Sequence, residues 1–313
     1  MIKILVTGGA GNVGSALVKK LIQDKNTFVL IVDNLITGKL ENLPNKNYNN
    51  WKYFNFDVNN LNEVKNNLEC FKVDFIFHFA ALVGVKRTID NPISVLKDIH
   101  GFDNILNFAV EFNVKKIFFS SSSEVYGEPV EIPQNEITTP LNSRLPYSVV
   151  KNLGEVYLRS FYKCYNLDYT IFRFFNTYGP SQSDDFVIMK FLKKAINNEP
   201  ITIFGEGNQT RTFCYIDDNI DTIYTIYKNN LLTNSIINIG NNVEMSILNV
   251  AKLIIDITNS KSEIIHLAPL EEGDMTRRKP DNTIMKNILN RELIDLKTGI
   301  KNIIISNFSN NEN

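Results

Sequence analysis

A tyrosine and a lysine four residues apart are the side chains of this chain best suited to moving a proton. Tyr147 and Lys151 open a stretch with helical periodicity, Ser148–Tyr165. Residues four apart share one face of a helix, so the ammonium can lie beside the phenol, favour the phenolate and lower the tyrosine pKa. Such a tyrosine can remove the proton of a sugar hydroxyl while a hydride leaves the same carbon. Taken alone, the spacing also fits an ordinary pair on the surface of a helix.

A run of serines supplies hydroxyl groups for the same chemistry. Ser120–Ser123 and Glu124 come at the end of an apolar run that predicts a strand over Lys116–Ser120. In an open α/β sheet, ligands bind beyond the carboxyl ends of the strands. A hydroxyl there can hydrogen-bond the reacting oxygen and share its proton with the tyrosine. For any single serine of the four, a merely polar loop is the alternative interpretation.

Three glycines near the start of the chain predict a phosphate-binding turn. Gly8, Gly11 and Gly14 separate an apolar strand, Ile2–Thr7, from an amphipathic helix. Such a turn lets backbone N–H groups approach a pyrophosphate, and the helix N-terminus adds positive charge. Asp33 closes the next apolar run, nineteen residues after Gly14. Because an acid there hydrogen-bonds an adenosine ribose and repels a 2′-phosphate, the pattern predicts NAD and not NADP.

Strand and helix patterns alternate through the first half of the chain. The predicted strands are Ile2–Thr7, Phe28–Asp33, Trp51–Asn55, Phe75–Phe79, Lys116–Ser120 and Tyr169–Phe174. The predicted helices are Val13–Gln23, Leu61–Cys70, Asn91–Glu111 and Ser148–Tyr165. Alternation of this kind indicates parallel strands joined by crossover helices. We therefore predict an α/β protein with a Rossmann-type, doubly wound parallel sheet.

The second half is less regular and predicts a smaller α/β substrate lobe at the C-terminal end. Its predicted helices are Asp184–Asn198, Asp217–Tyr227 and Ser246–Thr258, and its predicted strands are Ile201–Phe204 and Ser235–Ile239. We assign residues 1–180 to a dinucleotide-binding domain, with later returns to its sheet, and residues 181–305 mainly to the lobe. The polar residues 306–313 are expected to fray.

Composition narrows the class of protein. The chain has 313 residues, of which 43% are hydrophobic and 21% charged, which is ordinary for a globular protein with a large core. A net charge of −1 gives no reason to expect a nucleic-acid or membrane partner. No apolar run is long enough to span a membrane, and a strand that starts at residue 2 leaves no room for a signal peptide, so we expect a cytoplasmic protein. Three cysteines, Cys70, Cys164 and Cys214, lack metal-ligand spacing and predict reduced thiols and no metal site.

Together these motifs resemble the extended short-chain dehydrogenase/reductase superfamily, in its nucleotide-sugar branch of epimerases, dehydratases and decarboxylases. The resemblance runs from Met1 to about Gly299. It includes the glycine turn, the Ser-Glu-Val-Tyr-Gly run, the Tyr147–Lys151 pair, and the segments 173–180 and 205–218. The resemblance implies NAD as the cofactor, a nucleotide sugar as the substrate, and hydride transfer from C4 of the sugar.

The resemblance also implies a role for each matching residue. The implied catalytic residues are Tyr147 as general base, Lys151, Ser122 and Glu124. The implied cofactor-binding residues are Gly8, Gly11, Asn12, Val13, Gly14, Asp33, Asn34, Gly38, Asp57, Val58, Phe79, Ala80, Ala81, Ser120, Tyr147, Lys151 and Phe174. The implied substrate-binding residues are Lys86, Ser122, Ser123, Glu124, Tyr147, Asn176, Arg211 and Arg278.

Departures from the family pattern bear on the reaction. Ser123 stands where 4,6-dehydratases carry an aspartic acid, so we rank dehydration low. Asp98 stands where the family often has asparagine, and a carboxylate there can only accept hydrogen bonds unless it is protonated. Decarboxylases resemble this chain in Glu124 and in the Arg-Arg-Lys-Pro-Asp run that contains Arg278. Epimerases need no third acid, only room for the keto sugar to turn over.

A simpler outcome is an oxidation that ends at the 4-keto sugar and needs a second substrate to reoxidise the cofactor. Two cations in the substrate loop, Lys86 and Arg87, favour this over a plain epimerase, and the whole sequence resembles GDP-heptose 4-dehydrogenases of bacterial capsule pathways. We therefore expect NAD-dependent C4 oxidation of a nucleotide-activated sugar such as GDP-heptose, with 4-epimerase and UDP-glucuronate decarboxylase as alternatives. A non-catalytic NAD-binding regulator is a distant alternative, which intact Ser122, Tyr147 and Lys151 disfavour.

The family resemblance further implies a homodimer that pairs two helices from each subunit. The matching helices here are Asn91–Glu111 and Ser148–Tyr165. More apolar residues lie on them than one buried face requires, unless all of them face the sheet. They are Ile105, Phe108, Val156, Leu158 and Phe161.

Overall fold

The structure is a computed structural model that describes residues 1–269 and 277–308, apart from the side chains of Val85 and Lys86. The strands are β1 (Ile2–Thr7), β2 (Thr27–Val32), β3 (Trp51–Phe54), β4 (Phe75–His78), β5 (Lys116–Ser122), β6 (Asp168–Phe174), β7 (Thr177–Tyr178), β8 (Ile201–Phe204), β9 (Thr210–Thr212), β10 (Cys214–Tyr215), β11 (Ser235–Ile239), β12 (Glu244–Ser246) and β13 (Ile264–Leu267). The helices are α1 (Asn12–Leu21), α2 (Leu61–Leu68), α3 (Val85–Asp90), α4 (Pro92–Leu96), α5 (Asp98–Glu111), α6 (Pro146–Tyr165), α7 (Val187–Ile196), α8 (Ile216–Lys228), α9 (Ile247–Thr258), α10 (Thr283–Leu289) and α11 (Leu296–Phe308).

Seven parallel strands form the main sheet in the order β11-β6-β5-β4-β1-β2-β3. From β1 the chain first adds strands on one side and then, from β4 onward, on the other. The strand order therefore reverses between β1 and β4, which opens a crevice at their carboxyl ends. This arrangement confirms the predicted Rossmann-type α/β fold.

The sheet separates two hydrophobic cores, because helices cover both of its faces. Successive residues of a strand point to opposite faces, so Ile4 and Val6 pack into one core while Leu5 packs into the other. On β5 the same alternation sends Phe118 to the first core and Phe119 to the second. α1 and α8 contribute to the first core, and α5 and α6 to the second.

The predicted elements of the first half are present, with one exception. The single helix expected over Asn91–Glu111 is wrong, because the chain forms α4 and α5 there and α3 before them. Pro92 fits the first turn of a helix, where its missing N–H leaves no helical hydrogen bond unmade, and the expected helix is interrupted at Lys97, between α4 and α5. α3 has six residues, which is too short for the apolar residues to show a helical periodicity in the sequence.

The C-terminal part contributes both to the main sheet and to small sheets of its own. β11 returns to the main sheet beside β6, as expected. Six further strands form two-stranded sheets, β10-β7, β12-β9 and β13-β8. Sequence reasoning found β8 but not the other five, because strands of two to four residues carry little periodicity.

The expectation that the chain frays from residue 306 is wrong for residues 306–308, which belong to α11. Ile303 in this helix is fully buried, and Asn307 donates a side-chain hydrogen bond to the carbonyl oxygen of Pro180 at 2.7 Å. These contacts anchor the last described turn. Residues 309–313 lie outside the described residues.

The apolar residues named for a dimer interface divide into two groups. Ile105, Phe108 and Leu158 are buried in the core of their own chain, so for these three the interface interpretation is wrong. Phe161 is only partly buried against that core. Val156 is 46% exposed, and the homodimer itself stays a prediction. Within the described ranges, none of the helices is both long and apolar enough to cross a membrane.

Candidate active site

A cleft of about 740 Å³ opens at the carboxyl ends of the main sheet, where the strand order reverses. The segments that follow β1, β2, β4, β5 and β6 line it, together with residues 181–183 and 186–188. Ligands of open α/β sheets bind at this place. Sequence reasoning missed residues 181–183 and 186–188. The sequence feature that could have identified them is the Gly179–Pro180 turn, which follows the segment at the carboxyl end of β6.

Most of the residues predicted for the site line this cleft. They are Gly8, Gly11, Asn12, Val13, Gly14, Asp33, Asn34, Asp57, Val58, Phe79, Ala80, Ala81, Ser120, Ser122, Ser123, Glu124, Tyr147, Phe174, Asn176 and Arg278. Gly38, Lys151 and Arg211 do not form its wall. The side chain of Lys86 lies outside the described residues.

The turn after β1 allows a ligand to approach the backbone closely. Gly8 has a φ of 70°, and a Cβ atom on Gly14 would lie 2.1 Å from the carbonyl oxygen of Gly8, so larger residues do not fit at either position. α1 starts directly after Gly11, and no side chain caps its first N–H groups. An uncapped helix N-terminus that lines a cleft fits a pyrophosphate.

Asp33 directly follows β2 at the rim of the cleft. Its carboxylate accepts hydrogen bonds from the backbone N–H of Ala10 at 2.9 Å and of Leu35 at 2.8 Å. Gly38 packs against it, and a Cβ atom there would lie 2.8 Å from Asp33 Oδ1. Lys39, the nearest cation in the sequence, pairs with Glu41 at 3.3 Å instead. No described cation of this loop therefore pairs with the carboxylate, and its position fits an unphosphorylated ribose.

The segment after β4 is held against β1 by one threonine. Thr7 Oγ1 accepts the backbone N–H groups of Phe79 and Ala80, each at 3.2 Å, and lies 2.9 Å from Nδ1 of His78. Burial lowers the pKa of His78 to about 3, so its imidazole is neutral. The neutral ring and the threonine together fix the wall of the cleft between β1 and β4.

Tyr147 lies in the first turn of α6, and its phenol and the Ser122 hydroxyl line the same cleft. Burial raises the pKa of Tyr147, and the nearby Glu124 carboxylate raises it further, while the Ser122 hydroxyl lowers it. Ser122 also accepts the backbone N–H of Glu124 at 3.2 Å. The phenol, the hydroxyl and the carboxylate thus meet on one wall of the cleft.

The Lys151 ammonium lies behind this wall. It donates to the carbonyl oxygen of Ser120 at 2.6 Å and to the Ser120 hydroxyl at 3.3 Å, and it lies 5.7 Å from the centre of the Tyr147 ring. Burial lowers the pKa of Lys151 to about 8, and Asp98 raises it in part. Burial of the phenol raises the pKa of Tyr147 in this structure, and the expectation that Lys151 lowers it stays a prediction.

Asp98 accepts hydrogen bonds, as its carboxylate requires. It receives the backbone N–H of Leu82 at 2.7 Å and the side-chain amide of Asn59 at 3.4 Å. Burial raises its pKa. The carboxylate joins the start of α5 to two segments that line the cleft, around residues 59 and 82.

The residues expected to bind substrate are only partly brought together. Arg278 approaches Glu124, with 3.4 Å between its Nη1 and Oε1 of the carboxylate, although the two residues are 154 positions apart. Asn176 lines the cleft and donates to the carbonyl oxygen of Thr212 at 3.0 Å. Arg211 is 8% exposed on β9, away from the cleft wall.

Comparison with known proteins assigns this cleft to a family. Residues 4–240 match the model of the NAD dependent epimerase/dehydratase family. UDP-glucuronic acid decarboxylase 1 of Xenopus tropicalis is 33% identical over 311 residues, which cover 96% of this chain and 71% of that protein.

Solved structures give the same result for the fold. UDP-glucose 4-epimerase of Thermotoga maritima, solved with UDP-glucose, superposes with a TM-score of 0.89 at 31% identity, covering 97% of this chain and 98% of that one. UDP-N-acetylglucosamine 4-epimerase of Methanobrevibacter ruminantium, solved with UDP-N-acetylmuramic acid, superposes with a TM-score of 0.86 at 30% identity, covering 97% and 99%.

Proposed function

The chain belongs to the NAD dependent epimerase/dehydratase family, and from that premise we propose that it oxidises C4 of a nucleotide-activated sugar. The observation that carries the proposal is that the Tyr147 phenol and the Ser122 hydroxyl line the same cleft. A phenol and a hydroxyl so arranged can take up the proton of one alcohol. The uncapped start of α1 and the acidic Asp33 support NAD as the cofactor.

Tyr147 is the general base of the proposed reaction. It removes the proton of the C4 hydroxyl, and Ser122 holds the same oxygen and shares the proton. When bound, NAD supplies the hydride acceptor and, in its oxidised form, a positive charge that favours the phenolate. Lys151 has three N–H donors, and its two bonds to Ser120 leave one for the ribose next to the nicotinamide.

The nucleotide sugar would be held by the cations and amides at the open side of the cleft. Arg278 and Asn176 line that side, and both reach it from different segments of the C-terminal half. An arginine fits a diphosphate or a carboxylate, because its guanidinium offers paired donors. The roles expected for Lys86 and Arg211 stay predictions.

The released product of the proposed reaction is the 4-keto sugar. Ser123 cannot act as the acid of a dehydration, which supports an oxidation without elimination. A second candidate is decarboxylation of a nucleotide-linked uronic acid. The Glu124–Arg278 contact favours it, because the contact shows that Arg278 can bind a carboxylate in the cleft. The likeness to UDP-glucuronic acid decarboxylase favours it as well.

A panel of nucleotide sugars tests the proposal. GDP-heptose belongs in the panel because the whole sequence resembles GDP-heptose 4-dehydrogenases, and UDP-glucose and UDP-glucuronate belong there because of the relatives. We expect reduced-nicotinamide absorbance together with a 4-keto product. Release of carbon dioxide would favour the second candidate, and an inverted C4 alcohol without net reduction would favour an epimerase. No turnover with any sugar would contradict the proposal and favour a regulator.

A further inference from the structure

A buried polar network lies directly behind the Ser122–Glu124 segment, and the proposed mechanism does not use it. We call it the Arg173 network. Its members come from β5, the turn after β5, α6, β6 and β11, and each is at most 2% exposed. They are Ser121, Tyr126, Glu155, Arg173 and Asn238.

The centre of the network is an ion pair with two parallel hydrogen bonds. Arg173 donates from Nε to one oxygen of Glu155 at 2.9 Å and from Nη2 to the other oxygen at 2.7 Å. Its Nη1 donates to the Tyr126 hydroxyl at 2.9 Å. Tyr126 in turn donates to Oδ1 of Asn238 at 2.7 Å. Burial raises the pKa of Tyr126 to about 12, so the phenol stays neutral and can make both bonds.

The network touches both elements that carry the proposed catalytic groups. Glu155 lies on α6 at four-residue steps from Tyr147 and Lys151, and therefore on their face of the helix. Its Oε1 accepts the Ser121 hydroxyl at 2.6 Å. Ser121 stands between Ser120, which binds the Lys151 ammonium, and Ser122, which lines the cleft with Tyr147. Glu155 thus connects α6 to β5 next to the proposed catalytic residues.

The other arm of the network fixes the far end of the same segment. Tyr126 closes the turn that starts at Ser123 and contains Glu124. Its hydroxyl accepts a hydrogen bond from Arg173 on β6 and donates one to Asn238 on β11, so the turn is bonded to two strands of the main sheet. With Ser121 bonded at one end and Tyr126 at the other, the backbone of Ser122–Glu124 has little freedom to move.

A role in folding alone does not account for such a network. A buried ion pair often contributes no more stability than apolar residues of the same volume, because removing two charges from water is costly. What a fully hydrogen-bonded network adds is one fixed arrangement of the elements it joins. Here the elements joined are those whose relative position sets the contact between Ser122 and Tyr147.

We propose that the Arg173 network is a positioning device that holds the Ser122 hydroxyl against the Tyr147 phenol. The inference rests on the proposed C4 oxidation. Arg173, Glu155 and Tyr126 touch neither substrate nor cofactor in this account and act through Ser122. Loss of one network bond lets the Ser122–Glu124 segment shift, which moves the Ser122 hydroxyl away from the Tyr147 phenol.

The kinetic test is a double-mutant cycle between Tyr126→Phe and Ser122→Ala, measured with the fastest sugar of the panel. Tyr126→Phe removes one hydroxyl and keeps the buried ring. We expect it to lower kcat roughly tenfold to a hundredfold without changing KM or NAD affinity, since a small misplacement of a reacting group has effects of this size. The ascending limb of the kcat profile, which reports deprotonation of the base, should move to higher pH. In the Ser122→Ala background, Tyr126→Phe should have no further effect on kcat.

Lys116→Met is the matched control, because Lys116 is a buried, hydrogen-bonded residue at the other end of β5. It should lower thermal stability and leave kcat and its pH profile unchanged. An equal loss of kcat from Tyr126→Phe in both backgrounds, or a loss from Lys116→Met of the same size, would overturn the proposal.

Crystal structures of the Tyr126→Phe and parent proteins with NAD separate this proposal from the proposed function. We expect the Ser122 hydroxyl to lie about 1 Å or more farther from the Tyr147 phenol in the variant than in the parent. An unmoved hydroxyl would overturn the positioning role. If no sugar is oxidised, the C4 oxidation fails, and the displacement still decides whether the network positions Ser122.

Discussion

Two buried lysines lie at opposite ends of the sheet, one far from the cleft and one behind its wall. Lys116 begins β5, and Lys151 packs against the other end of the same strand. Each is 2% exposed, and burial lowers the pKa of each to about 8. By burial and titration alone, the two side chains are equivalent.

Their hydrogen-bond partners differ. The Lys116 ammonium donates to three acceptors of the segment 230–233, at distances from 2.9 to 3.4 Å, which uses all three of its N–H groups. Lys151 donates only to Ser120 among the partners that the described residues provide. At the amino end of the sheet, all three N–H groups of the Lys116 ammonium are hydrogen-bonded within the chain. At the carboxyl end, the Lys151 ammonium has one N–H group left for a ligand.

The largest expected effect is at the carboxyl end. Tyr147→Phe removes the proposed base and keeps the ring. We expect kcat to fall by roughly 100-fold to 10,000-fold, the range for loss of a general base, while bound NAD remains. Steady-state rates and the absorbance of extracted cofactor measure both. Activity within a few-fold of the parent would remove Tyr147 from the role, and Tyr162→Phe, an exposed tyrosine on the same helix, is the control.

The two lysines test the comparison directly. Lys151→Met should lower kcat about 100-fold, because it removes the donor beside the ribose and the charge behind the phenol. Lys116→Met should leave kcat per folded molecule unchanged and lower the melting temperature, because it leaves three acceptors without their donor. Activity assays and thermal unfolding of both variants provide the check. Equal effects on activity would break the contrast between the two ends.

Two carboxylates, one at each end of the sheet, give a second comparison, and the expected effect is a smaller one on cofactor affinity. At the amino end, Asp74 pairs with the Lys115 ammonium at 2.9 Å, whereas Asp33 at the carboxyl end accepts the backbone N–H groups of Ala10 in the glycine turn and of Leu35 in its own loop. We expect NAD to bind more tightly than NADP by roughly tenfold to a hundredfold, since the unneutralised carboxylate repels a phosphate. Asp33→Asn, which keeps the shape, should narrow this ratio. Fluorescence titration with both cofactors measures it, and comparable affinities in the parent protein would contradict the assignment.

The smallest expected effect is on stability as a function of pH. The folded-state pKa of Lys116 is about 8, below the usual 10.5. The folded state therefore binds this proton less tightly than the unfolded state, so stability rises as pH increases from about 8 to about 10.5. Relative to Lys116→Met, the parent should gain free energy of unfolding over that range. Urea unfolding at both ends of the range measures it, and a gain in the opposite direction would be inconsistent with a buried lysine.

The parts of the molecule that could be predicted are those where neighbouring residues determine the outcome. The glycine turn, Asp33 and the apolar strands have local patterns, and the fold follows from them. The contact of Arg278 with Glu124 joins residues 154 positions apart and has no local pattern. The pKa of Tyr147 was expected to be lowered by its helical neighbour, yet it is raised, because burial and Glu124 depend on tertiary packing. The Arg173 network escaped prediction for the same reason.

The central claim is that a hydride leaves C4 of a nucleotide sugar at the carboxyl end of this sheet. The most direct measurement uses the active sugar of the panel, deuterated at C4, followed by mass analysis of the cofactor recovered from the protein. The account predicts reduced cofactor that carries the deuterium, and none with Tyr147→Phe. A turned-over sugar that keeps its deuterium, with no label in the cofactor, would contradict it.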